Sequence, residues 1–222
     1  MARRFVIALV LLAAAPGAAQ TPAFVQVEGR AALPFGDWAN NLSHPEQTQF
    51  SAGPLAQVAL GFAPGNTRYF TVGVEGAYAR LGTHEWEAFT ARRTSRVHAN
   101  ARMWSVMAAG TVTLPGRGRS DLAMELHGAL GLLVPTGEER FENETTEYDF
   151  LRTTLGARLG ARAVWRFSEV DLWLGLGVLV APGAVRPTDP LPSAGAPLAP
   201  TAVRRTLATF EPGVGLRYWF GL

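Results

Sequence analysis

Apolar and polar residues alternate along most of this chain with a period of two, as in a β-strand whose two faces meet different surroundings. The clearest segment runs from Leu151 to Phe167, where positions 152, 158, 162 and 166 are all arginine and all fall on one face. A helix over the same segment would scatter these arginines around its circumference. We therefore predict a strand with one apolar face and one arginine-bearing face.

Seven further segments repeat the alternation, so the chain is predicted to contain eight strands. They cover residues 25–31, 57–62, 70–78, 97–114, 122–132, 171–180 and 209–220. In the fourth strand, His98, Asn100 and Arg102 share one face, and the apolar phase then changes at Met103 and Trp104. A β-bulge at that point would restore the register.

The connections between these strands alternate between long and short. If neighbouring strands are antiparallel, every long connection lies at one end of the sheet and every tight turn at the other. The long connections are residues 34–53, 82–96, 135–149 and 182–205, and the short ones are residues 64–68, 115–121 and 168–169.

Two all-β architectures fit this pattern, a soluble sandwich with an apolar core and a membrane barrel with an apolar outside. The apolar faces of the fourth, sixth and eighth predicted strands are longer than the 5–6 residues usual for soluble strands. Aromatic residues also collect on these faces near the short turns, as in an interfacial girdle. The opposite faces combine glycine with charges of both signs, although Leu133, Val164, Trp173 and Trp219 fall there too. We predict an eight-stranded antiparallel up-and-down transmembrane β-barrel, with a soluble exported β-protein as the alternative.

The N-terminus predicts export. Arg3 and Arg4 precede an apolar run that is too short to span a bilayer and that ends in small residues, the pattern of a secretory signal peptide. We predict a signal peptide over residues 1–19 and one barrel domain over residues 20–222. Without those two arginines the chain carries 18 basic and 18 acidic residues, so it lacks the basic excess of a nucleic-acid-binding protein. It has no cysteine, which excludes disulfides and thiolate metal sites.

Two local motifs resemble the small outer-membrane β-barrel family, whose best-known member is the transmembrane domain of outer-membrane protein A. Residues 33–38 (Leu-Pro-Phe-Gly-Asp-Trp) are similar to an element found where these barrels leave their first strand. Gly215, Tyr218 and Phe220 match the family's last-strand assembly signal, although Gly221 and Leu222 follow where the family usually ends. The resemblance implies a bacterial outer-membrane location, contact with outer-membrane lipid and lipopolysaccharide, and recognition by the outer-membrane assembly machinery.

The charged faces of the predicted strands would line the interior of such a barrel, where eight strands leave room for little more than side chains. We predict that these charges pair with one another and fill the interior, because buried charges require partners. The other interpretation is an ion path along a charged lumen. The predicted interior network comprises Glu28, Arg30, Glu75, Arg102, Glu125, His127, Arg158, Arg162, Glu211 and Arg217.

No catalytic, cofactor or metal site is predicted. His127 has no serine beside it, and His44 and His84 fall in predicted loops where nothing holds them against a nucleophile or further ligands. The predicted function is non-enzymatic, a monomeric barrel with a structural or surface-interaction role that binds a surface ligand through four extracellular loops. The alternatives are a narrow pore or transport barrel and a lipid-modifying enzyme.

Overall fold

A computed structural model describes residues 21–35, 51–90, 93–115, 121–141, 144–147, 152–185 and 205–221. The predicted signal peptide, His44 and most of the first and last long connections lie outside these residues. In this part of the chain, no helix is long and apolar enough to cross a membrane.

The described residues form antiparallel strands joined in sequence order. Period-two alternation sends successive side chains to opposite sides of each strand, so each strand presents a buried and an exposed face. The strands are β1 (Ala23–Pro34), β2 (Gly53–Phe62), β3 (Phe70–Thr90), β4 (Arg93–Pro115), β5 (Leu122–Phe141), β6 (Glu144–Glu147), β7 (Thr154–Phe167), β8 (Val170–Val185), β9 (Arg205–Phe210) and β10 (Gly213–Phe220).

Strands β9 and β10 act as one strand of the wall. Both pair with β8 and with β1, and the register is the same on either side of Glu211 and Pro212. Proline has no N–H, which removes one ladder hydrogen bond toward β1, while the Pro212 carbonyl still accepts from Ala31 N at 2.9 Å. Strand β6 pairs with β5 at the far end of the wall.

The wall is a closed, all-antiparallel barrel of eight strands, since the last strand pairs with the first. Closure leaves no sheet edge, and in hydrocarbon an open edge would expose unpaired N–H and C=O groups. The predicted fold class is confirmed.

Two details of the predicted wall are wrong. Residues 82–96 and 135–149 are not simple loops, because β3 and β4 continue as a hairpin to Thr90 and Arg93, and β5 and β6 continue the next one. The predicted bulge at Met103 and Trp104 is also absent, since β4 keeps one register with β5 throughout. The irregularity lies instead between Leu81 and His84 of β3.

The outside of the barrel is an apolar band with aromatic residues near the short turns. Leu130, Leu155 and Leu159 are 62%, 62% and 68% exposed, although they are among the most hydrophobic side chains in the chain. Large apolar side chains are also exposed on β1 to β5, β7, β8 and β10, an arrangement that is unfavourable in water and favourable in lipid. The exposed turn-end aromatic residues are Phe62, Phe70, Trp165, Phe167 and Phe220.

The position of an introduced charge on this outer face should decide what it costs. We expect Leu159→Arg, near the middle of the β7 band, to reduce the free energy of folding into lipid vesicles by about 2–4 kcal/mol. Thr153→Arg, on the same face at the hairpin end, should cost roughly 0–1 kcal/mol because the guanidinium reaches the headgroups. Urea titrations of both variants in vesicles measure the difference. Equal costs at the two positions would contradict the membrane assignment of this face.

Candidate functional site

The inward faces of the strands fill the barrel with three layers of side chains. At the short-turn end lies a lid formed by Phe24, Trp219 and Arg68. Above it is a charged layer, and toward the hairpins is an apolar plug. The larger members of the plug are Leu55, Leu81, Met103, Met107, Leu133, Leu179 and Leu207, each at most 3% exposed.

Arg158 on β7 joins two carboxylates from opposite parts of the wall. Its Nε donates to Glu211 Oε2 at 2.8 Å, and its Nη1 pairs with Glu75 Oε1. Glu75 also accepts from Gln57 Nε2 at 2.9 Å, and His127 Nε2 lies 3.0 Å from it. The planar guanidinium is suited to this role because its donors diverge toward two acceptors.

Arg217 on β10 forms the second cluster with Glu125 on β5. Two parallel bonds of 2.8 Å join their side chains, Nη1 to Oε1 and Nη2 to Oε2. Arg217 Nε donates to Gln26 Oε1 at 2.8 Å, and Nη1 lies 3.5 Å from Asp171 Oδ2. This bidentate pair ties together strands that are not neighbours in the wall.

Glu28 on β1 holds the third cluster. Its carboxylate forms an ion pair with Arg30 of the same strand at 2.6 Å and a second one with Arg162 Nη2 across the lumen at 3.0 Å. The two guanidiniums also lie 5.3 and 4.4 Å from the ring centre of Trp173, within cation–π range. A Cβ at Gly215 would lie 2.4 Å from that indole, so glycine is what allows Trp173 to fit inside the wall.

Arg68 closes the short-turn end. It lies in the turn between β2 and β3, and its guanidinium is 5.1 Å from the ring centre of Trp219 and 3.4 Å from Asp171 Oδ1. The Trp219 indole donates to Asp171 Oδ2 at 2.7 Å. Burial lowers the pKa of Arg68 while Asp171 opposes that shift, and the ordinary pKa of arginine is high enough for the group to stay charged.

The structure brings together most of the predicted network. Nine of the ten predicted residues have buried side chains in the three clusters described above: Glu28, Arg30, Glu75, Glu125, His127, Arg158, Arg162, Glu211 and Arg217. Arg102 does not join them, so its prediction as an interior residue is wrong. Because β4 has no bulge at Met103, Arg102 stays on the face of Trp104 and is exposed on the outer wall.

Sequence reasoning missed several partners of this network. Asp171 is fully buried and contacts both Trp219 and Arg217, and Gln26 and Gln57 hold carboxylates or guanidiniums in place. Residue parity alone places Asp171 on the inner face of β8, together with Trp173. Arg68 lies in a turn, where alternation does not indicate a direction, so the sequence gives no comparable sign that its side chain contacts Trp219 and Asp171.

The predicted assembly-signal residues lie on both faces of β10. Gly215 faces inward against Trp173, while Phe220 is exposed on the outer wall. Tyr218 packs edge-to-face against Phe220 with ring centres 4.8 Å apart, and its hydroxyl donates to Glu169 at 2.9 Å. Their recognition by an assembly machinery stays a prediction.

One trio in the lumen has the order of a nucleophile, a base and an orienting carboxylate. Thr111 Oγ1 lies 3.3 Å from His127 Nδ1, and His127 Nε2 faces Glu75. All three residues are buried, with the lid below them and the apolar plug above them. Acyl transfer requires a nucleophile that substrate can reach, so this geometry supports a structural role. The side chains of His84, Glu85 and Glu87 lie outside the described residues.

Comparison with known proteins agrees with the geometry at the level of fold. No protein-family model matches the chain, and no curated protein matches it in sequence. Among solved structures, Neisserial surface protein A is similar at 12% identity, with a TM-score of 0.51 over 89% of this chain and 97% of that chain. OprG from Pseudomonas aeruginosa is similar at 12% identity, with a TM-score of 0.49 over 91% and 97%.

Ail from Yersinia pestis is similar at 10% identity, with a TM-score of 0.45 over 90% of this chain and 99% of that chain. At such identities the likeness concerns the fold alone, and Neisserial surface protein A is the structure that supports it. The chain has the fold of the small outer-membrane β-barrels, which confirms the resemblance expected from its sequence.

Removing the guanidinium that joins Glu75 and Glu211 should strongly destabilise the barrel. We expect Arg158→Met to lower the free energy of unfolding by about 3–5 kcal/mol, because two buried carboxylates lose a cation. Adding Glu75→Gln and Glu211→Gln to that variant should recover much of the loss by removing the uncompensated charges. Arg152→Met is the matched control, since Arg152 is half-buried near the hairpins and donates to the Gly183 carbonyl.

Reversible urea unfolding in detergent or vesicles measures all four proteins. The control should lose only about 1 kcal/mol, the worth of one ordinary hydrogen bond. A stability of Arg158→Met equal to that of the wild type would show that the pairing within the charged layer is unimportant.

Proposed function

We propose that this chain is a non-enzymatic barrel of a bacterial outer membrane, closed to ions, which holds hairpin extensions at the cell surface for contact with an external ligand. The observation that carries the proposal is a combination of two features. The described interior is filled by side chains from the lid to the plug, and the strands continue well beyond the apolar band.

The filling of the lumen supports a closed barrel. Arg158 and Arg217 are 1% exposed, Glu75 and Glu125 are fully buried, and each is paired across the lumen. An ion moving through this layer would have to break buried charge pairs. Beyond this layer it would meet the plug, whose larger side chains are apolar.

The length of the hairpins supports a surface role. Strands β3, β4 and β5 contain 21, 23 and 20 residues, whereas a tilted strand crosses hydrocarbon in about 9–11 residues. The surplus lies at the end opposite the short turns. Outer-membrane barrels place short turns in the periplasm and long connections outside the cell, so the extensions would face the surroundings of the cell. Backbone pairing continues along them, which makes them ordered supports for a binding surface.

The pore alternative makes a different prediction for electrical measurements. We expect the mature wild-type chain, folded in detergent and added to a planar lipid bilayer, to give the baseline current of the detergent alone. Reproducible single-channel steps would contradict the closed interior and favour the narrow pore. A heat-dependent shift in gel mobility of the same sample shows beforehand that the barrel is folded.

The orientation of the hairpins can be tested with single cysteines, because the natural chain has none. We expect Ala88→Cys, in the hairpin of β3 and β4, to react with a membrane-impermeant maleimide on intact cells. Thr67→Cys, at an exposed position in the turn between β2 and β3, is the matched control and should react only after the outer membrane is permeabilised. Labelling of the turn but not the hairpin on intact cells would reverse the proposed topology.

A further inference from the structure

A small cavity lies inside the barrel, where the lid meets the charged layer. Phe24 of the lid borders it, and its polar lining includes Thr71, Thr111, Arg162 and Arg217. The cavity has room for about one water-sized particle. We refer to it as the lumen cavity, and its surroundings indicate what kind of particle it suits.

Arg162 brings unused hydrogen-bond donors to the lumen cavity. Its side chain is 2% exposed, and its Nη2 donates to Glu28 at 3.0 Å. Its Nε and Nη1 have no hydrogen-bond partner among the described residues, and the ring of Trp173 covers one face of the guanidinium. A buried donor without an acceptor is costly, because it has given up its hydration. An acceptor in the adjoining cavity would remove part of that cost.

The balance of charge inside the barrel favours an anion over a neutral acceptor. Among the described residues, the interior holds five carboxylates, those of Glu28, Glu75, Glu125, Asp171 and Glu211. It also holds six guanidiniums, those of Arg30, Arg68, Arg158, Arg162, Arg166 and Arg217, with the two nearest the lid, Arg68 and Arg166, 18% and 19% exposed. One positive charge is left over even when His127 is neutral. A monovalent anion would offset it, whereas a water molecule would supply only an acceptor.

Glu75 also lines the lumen cavity, and its carboxylate is already engaged by other donors. Arg158 pairs with its Oε1, and Gln57 Nε2 donates to its Oε2 at 2.9 Å. The guanidinium of Arg217 lies on the same lining as that of Arg162, so two cations border the space. The size of the cavity excludes phosphate, sulfate and carboxylates, and it suits a single spherical ion that accepts hydrogen bonds from any direction.

We propose that the lumen cavity binds one halide ion, which is chloride under biological conditions, with Arg162 as its principal donor. The inference goes beyond the surface role proposed above and does not depend on it. An ion held on the short-turn side of the apolar plug is compatible with a barrel that passes no current. Its role would be structural, because it completes the hydrogen bonding and the charge balance of the layer that joins the strands across the lumen.

The test measures halide-dependent stability in four proteins: wild type, Arg162→Lys, Ala109→Val and the control Ala108→Val. Ala109 lines the lumen cavity, so valine there fills it, whereas Ala108 is the next residue of β4 and is exposed on the outer wall. Each protein is folded in an uncharged detergent with sodium gluconate, which chloride or bromide then replaces at constant pH and ionic strength. Melting is followed by circular dichroism at one urea concentration. Crystals of the wild type grown with bromide locate the ion by anomalous diffraction.

We expect chloride and bromide to raise the melting temperature of the wild type and of Ala108→Val alike, since a ligand that binds only the folded state stabilises it. Constant ionic strength removes general screening from the comparison. Arg162→Lys keeps a cation for Glu28 but loses the guanidinium donors, so it should require about tenfold or more halide for the same rise. Ala109→Val should fold and lose the halide response. Bromide should give an anomalous peak beside Arg162.

Three outcomes would overturn the proposal. Melting temperatures that do not change with halide, together with no bromide peak inside the barrel, would mean that the cavity holds water. A halide response of Ala109→Val equal to that of the wild type would place the stabilising ion elsewhere, and this comparison decides the matter even if Arg162→Lys does not fold. Bromide peaks confined to the outer surface of the barrel would contradict the site in the same way.

Discussion

The rest of this structure depends on the need to pair every backbone N–H and C=O group in a medium without water. A sheet in hydrocarbon meets that need only by closing on itself, and with eight strands the closed wall surrounds a narrow interior. Period-two alternation then forces half of all side chains into that space. The inward side chains of the wall strands must therefore both fill the interior and pair the charges buried there.

The solution differs along the barrel axis. Toward the short turns the inward residues are charged and paired across the lumen, as in the bidentate contact between Arg217 and Glu125. Toward the hairpins they are apolar, as in the plug around Met107 and Leu133. Charged contacts specify which strands face one another, since a misplaced strand leaves a buried charge without a partner, whereas apolar packing fills volume with little regard to partner. The charged layer therefore contributes mainly to the specific arrangement of the strands, and the apolar plug mainly to close packing of the interior.

The sequence predicts the wall better than the contacts inside it. Parity placed Arg158 and Arg162 in the lumen correctly, because a strand of regular register permits no other assignment. The same reasoning failed at Arg102, which was placed on an inward face together with the polar residues His98 and Asn100 by assuming a bulge that does not exist. It also took residues 82–96 for a loop, since the polar composition of a hairpin in water resembles that of an irregular segment. Pairing across the lumen depends on which strands face each other, and one sequence carries no direct record of that.

The exclusive use of arginine among the basic residues fits the geometry of this interior. Arg158 holds two carboxylates from different strands, and Arg30 and Arg162 pair with one carboxylate while lying against the ring of Trp173. An ammonium group is a compact, strongly hydrated charge that has neither the planar fork nor the flat face required for these combined contacts. Room for them comes from glycines on the inner faces of β8 and β10, where a Cβ at Gly177 would lie 2.7 Å from Arg30 Nη1. A narrow barrel with a charged interior therefore requires bulky planar cations and the smallest residue on facing strands, and the alternation of glycine and arginine in this sequence meets both requirements.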